Sequence, residues 1–206
     1  MKKALIVFQK NRILGKVKTR LAETIGDEKA LDCYSQMIAY TYEQLQKVDA
    51  DIHLYFSEFI ESVPHQNWHV QTQKGEDLGE KMYNAFLELK SVGYDQVLII
   101  GTDCLELTSE IINNSFIALN SSDYVLGPAT DGGYYLLGLT ELNDVLFLNK
   151  EWSNDKVFQT AIDVIQQQNK TVFLLGKLSD IDDFNDLKSY QEKTGNIAFL
   201  NKNIDK

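Results

Sequence analysis

The residue pattern predicts an α/β fold in which a mostly parallel sheet is covered by helices on both faces. Two observations lead there. Short apolar runs alternate with segments of helical periodicity almost throughout the chain, the pattern of successive strand–helix crossovers. The 206 residues, 44% hydrophobic and 24% charged, are enough to bury a core and ordinary for a globular protein. No repeat, low-complexity tract or Pro/Gly/Ser-rich linker interrupts the chain, so residues 1–200 read as a single domain and 201–206 as a frayed tail.

Taken in order, Ala4–Phe8 reads as a buried strand and Asp27–Val48 as an amphipathic helix with Leu31, Tyr34, Ile38, Tyr42 and Leu45 on one stripe. Asp51–Phe56 is a second strand and Trp68–Gln71 a short third. Leu78–Leu89 follows as a helix with Met82, Ala85, Phe86 and Leu89 facing inward, then Gln96–Ile100 as a buried strand. Thr108 is placed to cap a helix running to Leu119, because its hydroxyl can accept from a free N–H of the first turn. Tyr124–Leu126 and Tyr134–Leu139 are strands, and the turn between them brings in one antiparallel strand. Asn154–Gln168 is a helix, Thr171–Leu175 a strand and Asp183–Lys193 the closing helix.

The net charge of −10 argues against a general nucleic-acid binder or a membrane-surface protein, since both partners are polyanions. An anionic ligand must therefore be received by a local basic patch. Cys33 and Cys104 form neither a disulfide framework nor a metal-spacing motif, and Cys33 reads as a buried small hydrophobe. The apolar run after Met1-Lys2-Lys3 is too short for a signal peptide, and no stretch approaches a membrane span, so a cytoplasmic location is expected. His53, His65 and His69 read as incidental rather than as a zinc site. Nothing in the pattern specifies an oligomeric state.

Four polar clusters at the ends of expected strands carry the chemistry. After the first strand, Lys10, Arg12, Lys16, Lys18 and Arg20 place five cations in eleven positions, with Gly15 for a turn and Thr19 for a phosphate oxygen. Lysine offers a point charge and arginine a planar fork, so the segment is either an anion receiver or a solvated basic loop. It is not a Walker A loop. In the second cluster Gly75, Asp77 and Leu78 open a helix whose free N–H groups suit a nucleotide base or phosphate, the alternative being simple capping by Asp77.

The third cluster is Gly101-Thr102-Asp103, at the end of a buried strand where open α/β sheets bind ligands. A carboxylate there suits Mg²⁺ or Mn²⁺, or else closes an Asx-turn. The fourth holds Asp180, Asp182, Asp183 and Asp186; some must cap the last helix, and Asp182 is the candidate for a second metal ligand. The most informative stretch is Gly127–Leu139, in which Asp131 precedes Gly132, Gly133 and Tyr134. Glycines let a ligand approach the main chain, which places Asp131 for a ligand, although a tight β-turn has the same signature.

Phe8-x-Lys10, Gly15-x-Val17-Lys18-Thr19-Arg20-Leu21, Gly75-x-Asp77-Leu78-Gly79-Glu80, Gly101-Thr102-Asp103, the Gly127–Gly138 run, Trp152-Ser153 and Asp180-x-Asp182 follow one another in an order that closely resembles the bacterial family DUF2064, whose members are called glycosyltransferase-A-like. The chain is similar, more distantly, to phospholactate guanylyltransferase and the molybdenum-cofactor nucleotidyltransferases. The resemblance spans nearly the whole sequence. It implies a Rossmann-like three-layer α/β/α nucleotide-diphospho-sugar transferase fold with Mg²⁺ or Mn²⁺ on the diphosphate. It puts Lys18 and Arg20 in the phosphate loop, Asp103 at the metal and Asp131 facing the transferred group. Family members usually carry prolines where this chain has Asn11–Leu14. The expected activity is metal-dependent transfer of a glycosyl group from a nucleotide-diphosphate sugar to a small acceptor. The same parts also serve nucleotidyl transfer from an NTP with release of pyrophosphate, or nucleotide binding without turnover.

Overall fold

The computed structural model describes residues 1–148, 152 and 155–195. The elements run β1 (Lys3–Gln9), α1 (Thr19–Ile25), α2 (Asp27–Leu45), β2 (Asp51–Phe56), β3 (His69–Thr72), α3 (Leu78–Ser91), β4 (Gln96–Ile100), α4 (Ser109–Ala118), β5 (Tyr124–Pro128), β6 (Tyr134–Leu139), a 3₁₀ turn (Asp144–Leu146), α5 (Val157–Gln167), β7 (Val172–Leu174) and α6 (Phe184–Thr194). The seven strands form one sheet in the order β3-β2-β1-β4-β6-β5-β7. β6 runs against both of its neighbours, and every other pairing is parallel. The expected single antiparallel strand is thus β6.

Period-two alternation divides the strand residues between two apolar layers. Ala4, Ile6, Val97 and Ile99 pack with Met82, Phe86 and Leu89 of α3 and Ile162 and Ile165 of α5. Leu5, Val7, Leu98 and Ile100 pack on the other face with Leu45 of α2 and Ile112 and Phe116 of α4. A third cluster joins Leu21 of α1, Met37 and Ile38 of α2, and Leu187 of α6. On α2 the buried stripe is Ala30, Cys33, Tyr34, Met37, Ile38, Thr41 and Leu45, whereas Leu31 and Tyr42 lie at its margin. Thr108 caps α4 by accepting from the Ile111 N–H, as expected.

α1 is a helix where the sequence reads as a loop. Seven residues are too few for a periodic signal, and the helix is held instead by full burial of Leu21 against α2. α5 begins at Val157; the expected start at Asn154 and the tail 201–206 lie outside the described residues. No described helix is long and apolar enough to cross a membrane.

One of the histidines, His53, bears on stability. His53 is 7% exposed, its ring stacks on His69 at 4.5 Å, and its Nε2 lies 3.1 Å from the hydroxyl by which Tyr94 donates to Asp51. Burial, with His69 adding to it, pushes the His53 pKa down from 6.5 to about 4. Below pH ~6.5 the unfolded chain binds a proton that the folded chain refuses, so stability falls with pH through the window from ~6.5 to ~4. Urea unfolding of the wild type between pH 7 and 4.5 is expected to lose about 2 kcal/mol more than His53→Gln does over the same range. Parallel pH profiles for the two proteins would remove His53 as the cause.

Candidate functional site

The site follows from the strand order. From β1 and β4, neighbours at the centre of the sheet, the chain moves on toward opposite edges, to β2 and to β5, which leaves a crevice beyond their carboxyl ends. A cleft of about 660 Å³ lies there. Lys10, Lys16, Lys18 and Arg20 reach it from the β1–α1 segment, Asp103 from the end of β4, Asp131, Gly133 and Tyr134 from the β5–β6 turn, and Asp180 and Asp182 from the segment before α6.

The cationic wall is held in place by polar contacts. The Tyr34 hydroxyl of α2 accepts from the Lys10 N–H at 3.0 Å and lies 3.2 Å from the Lys10 carbonyl and 3.1 Å from Thr102 Oγ1, tying the ends of β1 and β4 together. Burial pushes its pKa up to about 12. Asn11 is buried, within the Asn11–Leu14 stretch where the resemblance implies prolines. Its Oδ1 accepts from Ser57 Oγ and the Glu58 and Phe59 N–H groups, and its Nδ2 donates to the Phe59 carbonyl and Glu61. The stiffness that a proline supplies locally comes here from hydrogen bonds to the β2–β3 connection.

Lys18 is the centre of the charge arrangement. Its backbone sits in the left-handed region at φ 47, an uncommon conformation for a side-chain-bearing residue. It aims the ammonium between two carboxylates, 3.0 Å from Asp103 Oδ2 and 2.9 Å from Asp182 Oδ1, with the side chain only 6% exposed. Burial alone works to lower the Lys18 pKa, but Asp103 and Asp182 outweigh it and raise the value above the ordinary lysine range. Arg20 pairs with the other oxygen of Asp182. For Asp182 burial works upward, and Lys18 and Arg20 hold its pKa below the usual value.

The acidic wall is assembled from distant parts of the chain. Residues 178–182 thread between the end of β4 and the β5–β6 turn: Leu178 N–H donates to the Pro128 carbonyl, Thr130 N–H to Leu178, and Ile181 N–H to Asp103. Asp180 is thereby set near Asp103 and Asp131. Burial, then Asp103, then Asp131 push its pKa up to about 8, Lys18 opposing. Its Oδ1 is buried without a hydrogen-bond partner. Asp131 is exposed and accepts from the Gly133 N–H at 2.9 Å, which fixes the carboxylate at the turn. Gly101 accommodates the Asp103 side chain, since a Cβ at 101 would lie 2.7 Å from Asp103 Oδ1.

Of the residues singled out in the sequence, Lys10, Lys18, Arg20, Leu78, Asp103, Asp131, Gly133, Tyr134 and Asp182 line the one cleft. Gly15, Gly75, Asp77 and Gly132 are not among its lining residues, and each has a local job instead. Gly15 turns the loop at φ 74. Asp77 caps α3 by accepting from the Glu80 N–H, so the capping alternative describes its carboxylate. At Gly75, with φ 139, a Cβ would strike Glu80 Cβ and Lys81 N at 2.8 Å. Gly132, at φ 93, lets the turn pass the Asp155 carbonyl.

Asp182, expected as a metal ligand, is engaged by Lys18 and Arg20, and it is Asp180 that carries the unpartnered oxygen. Asp183 and Asp186 form a capping box on α6. The sequence placed Tyr34 only on the packing stripe of a helix and Thr102 only inside the Gly101–Asp103 cluster; their hydroxyl contact at the site was not legible there.

Among the described residues no three His, Cys, Asp or Glu side chains form a ready-made metal cage. The donor set nevertheless fits Mg²⁺ or Mn²⁺. Asp103, Asp131, Asp180 and Asp182 line the same cleft, and the orphaned buried oxygen of Asp180 among them is the kind of atom a hard cation satisfies. Mg²⁺ needs only one or two protein carboxylates when phosphate and water fill its other positions.

The comparisons agree with this architecture. The chain is similar to a protein of Desulfovibrio desulfuricans G20 provisionally assigned as a nucleotide-diphospho-sugar transferase, at 28% identity and a TM-score of 0.90, covering 98% of this chain and 96% of that one. It shares its fold with Rv0371C of Mycobacterium tuberculosis H37Rv, solved in complex with manganese (10% identity, TM-score 0.61, covering 94% and 100% of the two chains). It likewise shares the fold of CMP:2-keto-3-deoxy-manno-octonic acid synthetase complexed with CTP (10% identity, TM-score 0.55, covering 95% and 99%). Among curated proteins none matches the sequence. The Rossmann-like nucleotide-diphospho-sugar transferase fold expected from the resemblance is therefore the fold of this chain. Residues 28–154, more than half the sequence, match the model described as "Uncharacterized protein conserved in bacteria", and the chain belongs to that family, DUF2064.

Proposed function

We propose that this protein transfers a glycosyl group from a nucleotide-diphosphate sugar to a small hydroxyl-bearing acceptor with the help of Mg²⁺ or Mn²⁺. The observation that carries the reading is the meeting of Lys10, Lys18 and Arg20 with Asp103, Asp131, Asp180 and Asp182 in one cleft over the ends of β1 and β4. A polyphosphate with a divalent ion is the ligand class that satisfies both walls at once. The assignment of the Desulfovibrio protein, and the manganese and CTP held by two proteins of this fold, support it.

In this reading Lys10, Lys18 and Arg20 bind the diphosphate and stabilise the charge it gains as the sugar–phosphate bond breaks. Asp103, with Asp180 or Asp182 beside it, would hold the metal, which when bound supplies further neutralisation of the leaving diphosphate. Asp131, exposed and fixed by the Gly133 N–H, orients the acceptor hydroxyl and takes its proton as the oxygen bonds to the anomeric carbon.

A panel of nucleotide sugars and NTPs, each with and without Mn²⁺, tests this in two stages. Thermal shift identifies the ligand, since one present at a hundredfold over its Kd adds about 2.7 kcal/mol. Product analysis then assigns the reaction. Release of NDP with glycosylated acceptor is expected. Pyrophosphate released from an NTP would replace the proposal with nucleotidyl transfer, and binding without turnover would leave a nucleotide-binding module.

A further inference from the structure

The Lys18 ammonium stands between Asp103 and Asp182, at hydrogen-bond distance from both and almost wholly buried, while the carboxylates remain 39% and 31% exposed toward the cleft. It occupies the bay between two of the carboxylates that would hold a metal. A divalent cation entering there would meet the ammonium at close range in a partly desolvated setting, where like charges repel strongly. Both cannot share the pair.

We infer that Lys18 is a resident counter-ion of the metal-binding carboxylates and leaves them for the polyphosphate when a divalent cation enters. This rests on the metal-dependent reading above. The backbone stays put, since Val17 is buried and α1 starts at Thr19; the movement belongs to the flexible four-carbon side chain. Arg20 remains on the far oxygen of Asp182, and the cleft beside it is open and already lined by Lys10 and Lys16.

Two consequences follow. Metal alone binds poorly, because it strands an ammonium that has lost both partners. Metal and polyphosphate bind cooperatively, because each supplies the counter-charge that the other's arrival removes. The absence of a three-ligand metal cage among the described residues agrees with a metal that arrives with phosphate oxygens.

Mn²⁺ binding to the free protein, followed by electron paramagnetic resonance, reads the effect directly. Lys18→Met is expected to bind Mn²⁺ about tenfold more tightly than the wild type; equal or weaker binding overturns the inference. A second measurement uses only the wild type. Trace acylation of amines, read by mass spectrometry, should find Lys18 shielded relative to the exposed Lys188. Saturating Mn²⁺ should raise labelling of Lys18 about fivefold with Lys188 unchanged. Bound Mn²⁺ with Lys18 still shielded overturns the inference and leaves the metal-dependent reading standing. If neither protein binds Mn²⁺, with or without inorganic pyrophosphate, that reading fails and the inference with it.

Discussion

Asp103→Asn is expected to lower turnover by about 10²–10³-fold while leaving the fold in place. The activity loss follows from position. Asp103 is the carboxylate at the end of β4, beside the crevice where the sheet order reverses, and it is bonded to the cation that also serves Asp182. Stability should change little for three reasons. The asparagine fits the same space over Gly101. Lys18 keeps Asp182 as a partner. The carboxylate lost is 39% exposed, so the broken pair costs about 1 kcal/mol. Asp180 also loses its largest charged neighbour and becomes easier to ionise. Turnover and urea denaturation of the purified variant check both halves, and wild-type turnover would take Asp103 out of the mechanism.

Gly132→Ala is expected to be the more damaging change to the structure, at about 3 kcal/mol or more. The residue sits at φ 93, where L side chains are strained, and a Cβ there would lie 2.2 Å from the Asp155 carbonyl oxygen and 2.5 Å from its Cα. Backbone does not give way as a side-chain tip does. Relief must come from moving the β5–β6 turn or the start of α5, whose Phe158 N–H donates to the Gly132 carbonyl. Either movement displaces Asp131, so activity should fall further than lost stability explains. Gly176→Ala is the control, because nothing lies within 4 Å of its Cβ position. Thermal melts of the two variants decide the matter; a Gly132→Ala protein as stable as the control would mean that the turn relaxes freely.

Much of the fold was legible because burial imposes a period. Gln96–Ile100 is buried at every position, and that continuous apolar run marks a central strand in any context. The capping pattern at Thr108 was equally plain, since the signal and its partner lie three residues apart. α1 was not, because one fully buried residue, Leu21, makes no period. The site divides the same way. Charges concentrated in a few positions, as from Lys10 to Arg20, announce an anion receiver, and an aspartate after a buried strand announces the crevice. For Asp77 and the aspartates before α6 the sequence left capping and ligand binding both open, and the helix N–H groups that Asp77 and Asp183 accept from show them to be caps.

By itself the sequence determined the α/β class, the strands of the sheet, the turn that reverses β6 and the residue types gathered at strand ends, because these depend on local periodicity and on chemistry carried by each side chain. Only the tertiary structure decided which charges face one another. Lys18 meets Asp182 across 164 positions of chain. Whether Asp180 or Asp182 takes the ammonium depends on how residues 178–182 thread past Pro128 and Asp103. Electrostatic interaction falls with distance in space and is indifferent to distance along the chain, so the pairing could not be read before the fold was known.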